Sequence, residues 1–341
     1  MDNLFFELLQ VSLGTRDKLT RVPSAREWDA LYDEAGRQAV VGVLLGGLER
    51  LPEEQLPPLE VKLQWIGESQ IIEATGRTHR QRVKELADKL RSVGFRSCIL
   101  KGIGVAEYYP EPLRRQCGDI DIWVDGHHKD ILAWMRSEYE LAHVEWNHIG
   151  AEIFDDAPVE IHLHPSWLYN PRYNSKLQKF FEYYKADAML ATKNSVNYPS
   201  IAFEAVFSLI HSFHHLLEEG VGFRHVIDYY YILKQLSDNQ RSEAFSFLME
   251  IGVGRYAAAM MYVLQDICGL SKQFLLCKPN VKEGKFLLDE IVASGNFGFS
   301  RRDDKGRNTA SRWLMMVKHY PHEALWMIPW KCWHNVWKRL I

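Results

Sequence analysis

Between positions 118 and 124 the chain reads Gly-Asp-Ile-Asp-Ile-Trp-Val. Only a strand places Ile120, Ile122 and Val124 on one face and Asp119 and Asp121 on the other, because side chains alternate along a strand. A second alternation, Val-Glu-Ile-His-Leu-His from Val159, sets Glu160, His162 and His164 against Val159, Ile161 and Leu163. Each strand has one face to bury and one polar face. Residues 96–100 form a further strand, Lys101-Gly102 a turn, and 103–109 a helix stopped by Pro110 and Pro112. A helix over 129–137 and a hairpin over 143–154 lie between the two alternating strands. The pattern predicts an α+β fold, a small mixed sheet with helices on one face and the acid-bearing face open.

The flanks are helical. Residues 1–93 carry apolar side chains at helical spacing, with Ser24 and Glu27 as a capping box, a loop at Pro52, Pro57 and Pro58, and a long helix over 60–90 closed by Gly94. Beyond Pro165 the strand signal ends, and 175–341 reads as helix broken at Pro199, Gly220-Val-Gly, Gly252, Pro279 and the 295–298 loop. Three units follow: an N-terminal helical segment (1–93) packing on the sheet, a sheet-bearing core (94–170) and a helical C-terminal domain (171–341). With 47% apolar and 25% charged residues the composition is that of a folded soluble protein. A net charge of −3 argues against broad nucleic-acid binding. Five scattered cysteines, no long apolar run and a start (MDNLFFELLQ) without a basic leader point to a cytoplasmic protein that does not enter a membrane.

Asp119 and Asp121 are close enough on one strand face to reach the same hard cation. Two carboxylates held ~4 Å apart repel by about 4 kcal/mol at an effective dielectric near 20, and a divalent metal compensates that. Standing alone, the pair also fits two exposed acids on a polar face. If the second strand pairs beside the first, Glu160 becomes the third acid. His162 and His164 also form a His-x-His pattern suited to zinc. Gly102 lets backbone N–H groups approach a phosphate, and Arg114 or Arg115 reaches phosphates held at the metal. In the helical region His211 and His215, and likewise Arg224 and Asp228, are four residues apart and share a helix face.

Lys101-Gly102, a short helix with Tyr108-Tyr109-Pro110, an arginine, the Gly118 to Val124 run and Val159-Glu-Ile-His together resemble the nucleotidyltransferase superfamily typified by DNA polymerase beta. Within it they are most similar to a bacterial branch known as uncharacterised nucleotidyltransferases, over about residues 80–235. The resemblance implies a polymerase-beta-like mixed sheet followed by a large all-helical region. It implies Asp119, Asp121 and Glu160 as catalytic residues and ligands of Mg²⁺ or Mn²⁺, and Lys101, Gly102 and Arg115 as the nucleotide-binding group. The acceptor pocket is expected among His162, His164, His211, His215, Arg224 and Asp228. The implied reaction moves a nucleoside monophosphate from a nucleoside triphosphate such as ATP to a hydroxyl, releasing pyrophosphate; the acceptor is a small molecule, a protein or an RNA end. Two alternatives stand beside it: a zinc-dependent hydrolase built on His162 and His164, and a nucleotide-binding protein without turnover. Asn296-Phe-Gly in the Gly-Asn-Phe-Gly-Phe loop also resembles the branch, with no chemical role attached.

Overall fold

The computed structural model describes residues 3–190, 196–298 and 309–337. Phe299 and three stretches of the expected helical region (191–195, 299–308 and 338–341) lie outside the described residues. The chain opens with α1 (Asn3–Leu13), α2 (Ala25–Arg37) and α3 (Val41–Leu48), then the 34-residue α4 (Leu59–Ser92). Both halves of the capping box form at α2: the Ser24 hydroxyl accepts from Glu27 N–H, and the Glu27 carboxylate accepts from Ser24 N–H at 2.8 Å. Gly94, with φ of 91°, ends α4 in the conformation that favours glycine.

The first 93 residues divide their packing between two cores. Helices α1 and α3 are apolar on most sides, α2 buries one face through Trp28, Leu31 and Ala35, and all three share a core with C-terminal helices; Phe5 and Phe6 lie 5.6 and 5.8 Å from the Phe223 ring. The second half of α4 instead contributes Val83, Leu86 and Leu90 to the sheet.

The sheet has five strands: β1 (Arg96–Leu100), β2 (Ile120–Asp125), β3 (Leu141–Val144), β4 (His148–Phe154) and β5 (Ala157–His162). Their order is β1-β2-β5-β4-β3, with β2 and β5 parallel and the other neighbours antiparallel. Between β1 and β2 runs α5 (Gly102–Ala106), and α6 (His128–Glu138) follows β2. Ile120, Ile122, Val124, Val159 and Ile161 pack on α4 and on Ile131 and Met135 of α6. That is the apolar face the alternation predicts.

The remaining helices are α7 (Pro171–Leu190), α8 (Ile201–Glu218), α9 (Phe223–Gln235), α10 (Asp238–Glu250), α11 (Gly254–Tyr262), α12 (Val281–Ser294), α13 (Thr309–His319) and α14 (Pro321–Trp337). Among the described residues no helix is long and apolar enough to cross a membrane. The acid-bearing face is not open as expected: α8 and α9 roof it, with Trp123 of β2 stacked on Phe203 of α8. The reason lies in α8 and α9, whose buried residues, from Phe203 to Leu217 and from Phe223 to Leu233, run round nearly every side of each helix. Sheet and roof enclose a cavity of about 500 Å³.

Candidate active site

The floor of the cavity is set by strand register. Asp121 lies directly opposite Glu160 across the parallel β2 and β5 pair, so both carboxylates point to the roofed face, and Asp119 precedes β2 on the same side. The β1 to α5 turn is strained: Lys101 has φ of 50° and Gly102 has φ of 33°. The turn directs the Lys101 side chain across β2, where Nζ is 2.8 Å from Asp121 Oδ1. His162, two residues after Glu160, brings Nε2 to 2.6 Å from the same Oδ1 and 3.5 Å from Glu160 Oε2.

These charges set one another's protonation. Repulsion from Asp121, joined by burial, pushes Asp119 up to about 6. Burial raises Asp121 too, but Lys101 and His162 outweigh it and hold that carboxyl well below the usual range. Glu160 is also held low against burial, chiefly by the hydrogen bond from His162. Burial and Lys101 disfavour a charged His162, yet its carboxylate partners raise it. Three carboxylates thus face the Lys101 ammonium and the His162 imidazole, with the rings of His148 and His143 3.6 and 3.9 Å from Glu160 Oε1, and among the described residues Asp119 makes no ion pair. Asp121, Glu160 and His162 offer ligand atoms all within 4.8 Å of one another. Oxygen donors with one nitrogen and a spare carboxylate suit a hard divalent cation.

The other anticipated residues fall into place unevenly. Gly102, Arg115, Arg224, Asp228, His211 and His215 all line the cavity. Arg115 is committed, however: its Nε and Nη2 donate to Asp228 Oδ1 and Oδ2, each at 2.7 Å, and Tyr109 donates its hydroxyl to the same carboxylate. Arg224 and Asp228 are therefore not partners of each other despite their spacing. Arg224 is buried, its Nη1 3.3 Å from the Gln116 carbonyl and its guanidinium 4.8 Å from the Phe297 ring centroid. Among the described residues it makes no ion pair, and its Nε has no hydrogen-bond partner. Burial and neighbouring Arg115 lower its affinity for its proton, so an anion beside it is favoured. Arg114 turns outward to Glu49.

His162 belongs to the carboxylate cluster rather than to the pocket wall. His164 does not join it: it lies beyond the end of β5, its ring 5.3 Å from Trp146 and 4.8 Å from His128, and burial pushes it down to about 4. The His-x-His pair therefore does not converge on one ligand. Among the cavity residues to which the sequence assigned no role are Glu219, His225 and Phe297. His225 follows Arg224 and lies beside His211 and His215. Phe297, with φ of 56°, gives the Asn296-Phe-Gly segment a place against Arg224 and His215.

No curated protein matches the chain. The crystal structure of an antigenic nucleotidyltransferase-like protein from Paracoccidioides brasiliensis is similar at 15% identity, covering 60% of this chain and 94% of that one, with a TM-score of 0.37. A model of the uncharacterised nucleotidyltransferase family matches residues 24–269, a span that takes in the whole sheet, the carboxylate cluster and the roofing helices α8 and α9. This protein belongs to the uncharacterised nucleotidyltransferase family.

Proposed function

We propose that the protein is a metal-dependent nucleotidyltransferase of the polymerase-beta-like kind, which moves a nucleoside monophosphate from a nucleoside triphosphate to an acceptor hydroxyl. One observation carries the reading: Asp121 and Glu160 face each other at the floor of a roofed cavity that also holds Asp119, a lysine on a strained turn and an arginine with no ion pair among the described residues. The donor set fits Mg²⁺ or Mn²⁺, with Asp121, Glu160 and Asp119 as oxygen ligands and His162 beside them. Bound there, such a cation neutralises triphosphate charge and polarises the α-phosphoryl group.

The chain's own groups supply the rest. Gly102 leaves room for phosphate oxygens at the start of α5, and Lys101 and Arg224 provide positive charge on either side of the cavity. The acceptor oxygen attacks the α-phosphorus, the bond to the bridging oxygen breaks, and pyrophosphate leaves. The proton of the acceptor hydroxyl passes to a carboxylate of the cluster. Arg115 acts through Asp228, fixing the wall on which the nucleotide rests. The net charge of −3 favours a small acceptor or a single side chain over a long nucleic acid.

The test is pyrophosphate release by purified protein from labelled nucleoside triphosphates with Mg²⁺ and candidate acceptors, beside an Asp119→Asn/Asp121→Asn variant. Transfer that persists in the variant removes the carboxylates from the reaction. Saturable nucleotide binding with no pyrophosphate from any acceptor instead identifies a nucleotide sensor in the same fold.

A further inference from the structure

We propose that His211, His215 and His225 form a second metal site, for a zinc-class divalent cation, on the helical wall of the cavity. His211 and His215 stand one turn apart on α8, and His225 lies in the first turn of α9. The three residues offer ligand nitrogens within 4.8 Å of one another. Nε2 of His211 and Nε2 of His215 are 3.0 Å apart. Zn–N bonds of 2.0 to 2.1 Å in a tetrahedron put neighbouring ligand nitrogens about 3.3 Å apart, so the pair needs little adjustment.

A further feature points to a ligand rather than to packing. Glu219 Oε2 lies 3.2 Å from His215 Nδ1, and its carboxylate therefore holds the proton on Nδ1 and leaves Nε2 as a lone pair. A carboxylate behind a ligating imidazole is the usual support of a zinc ligand. Burial also lowers all three imidazoles, keeping them in the neutral form that binds metal.

Donor chemistry separates this site from the floor. Imidazole nitrogens select zinc, cobalt, nickel or copper, whereas the carboxylates opposite select magnesium or manganese. All three histidines line the cavity, so the open coordination position accepts an oxygen, nitrogen or sulfur of whatever enters it. The site does not depend on nucleotidyl transfer, because it takes another class of cation on another set of atoms.

The experiment uses the full chain, stripped with chelator and titrated with Co²⁺. Uptake of one equivalent with the visible absorption of four-coordinate cobalt, displaced by Zn²⁺, is expected. His211→Gln and His225→Gln should each weaken uptake at least tenfold, and Glu219→Gln, at a half-exposed position that cannot disturb the core, by about tenfold. Asp119→Asn should leave the cobalt spectrum unchanged. Melting temperatures of the metal-free variants establish that each is folded. The proposal is overturned if the wild-type chain takes up no cobalt or zinc at micromolar concentration, if uptake survives Glu219→Gln and His225→Gln undiminished, or if Asp119→Asn abolishes it. Loss of transfer in Asp119→Asn with an intact cobalt spectrum concerns the carboxylate floor alone.

Discussion

Nζ of Lys101 lies 2.8 Å from Asp121 Oδ1, an oxygen that also meets Nε2 of His162. In the metal-free chain the ammonium therefore supplies positive charge that a divalent cation would otherwise bring. Removing one member of a buried ion pair costs about 3 to 5 kcal/mol, because the other charge is left without compensation. Lys101→Met should lose roughly 3 kcal/mol of stability in urea denaturation without metal and regain a good part of it in millimolar Mg²⁺. An equal loss at every Mg²⁺ concentration would show that Lys101 does not stand in for a cation.

Asp119 controls the pH dependence of the floor. Its folded pKa of about 6 lies above the ordinary carboxyl value of 3.8, so its contribution to stability is fully present below 3.8 and lost as pH rises through about 6. Cation binding runs the other way, since the carboxyl must give up its proton. Affinity for Mg²⁺ should rise about tenfold per pH unit below pH 6 and level off above it. Isothermal titration from pH 4.5 to 8 measures the slope, and Asp119→Asn should flatten it.

Two buried arginines should behave oppositely. Arg115 with Asp228 is a bidentate pair joining the segment before β2 to α9, so Arg115→Met or Asp228→Asn should cost about 3 to 5 kcal/mol in chemical denaturation. Arg224 contributes no ion pair among the described residues, and Arg224→Met should keep or raise the melting temperature while weakening nucleoside triphosphate binding roughly 100-fold, as loss of a charge-assisted phosphate contact would. Nucleotide affinity unchanged in Arg224→Met would move the triphosphate elsewhere.

These arginines mark where the sequence stops being readable. Strand alternation is local, so β1, the faces of β2 and β5 and the capping box at Ser24 follow from spacing alone. Asp121 beside Glu160 needed one step more, the choice of pairing partner, which the alternations leave open and the parallel β2–β5 register supplies. The partner of Asp228 had no such signal. Four-residue spacing on α9 suggests Arg224, while the guanidinium that reaches it lies 113 positions away in sequence. His164 failed for another reason: periodicity continues past residue 162, but the strand does not, and the ring turns to Trp146. His225 shares no helix with His211 and His215, so only the packing of α8 on α9 brings them together.

Glu323 offers a test of stability away from the cavity. It is almost fully buried, accepts N–H bonds from Tyr169 at 2.6 Å and Asn170 at 3.3 Å, and burial raises it to about 8. A carboxyl raised from 4.5 contributes stability that is complete below pH 4.5 and is lost as pH rises through about 8. The melting temperature should fall across that window, by up to about 1.4 kcal/mol of stability per pH unit, and Glu323→Gln should reduce the slope. A variant with an undiminished slope would place the titration on another buried acid.

Helices α1 to α3 share their core with the C-terminal helices, while β1 to β5 are strung between them. Topologically the sheet is an insertion within a helical host, and the host brings one wall of the site. A fragment ending near residue 170 would keep Asp119, Asp121 and Glu160 but strip the apolar cover from Phe5 and Phe6 and remove Arg224 and the three histidines of the wall. The carboxylates cannot be transplanted as a sheet and remain a pocket, because half of what encloses them is encoded after the last strand.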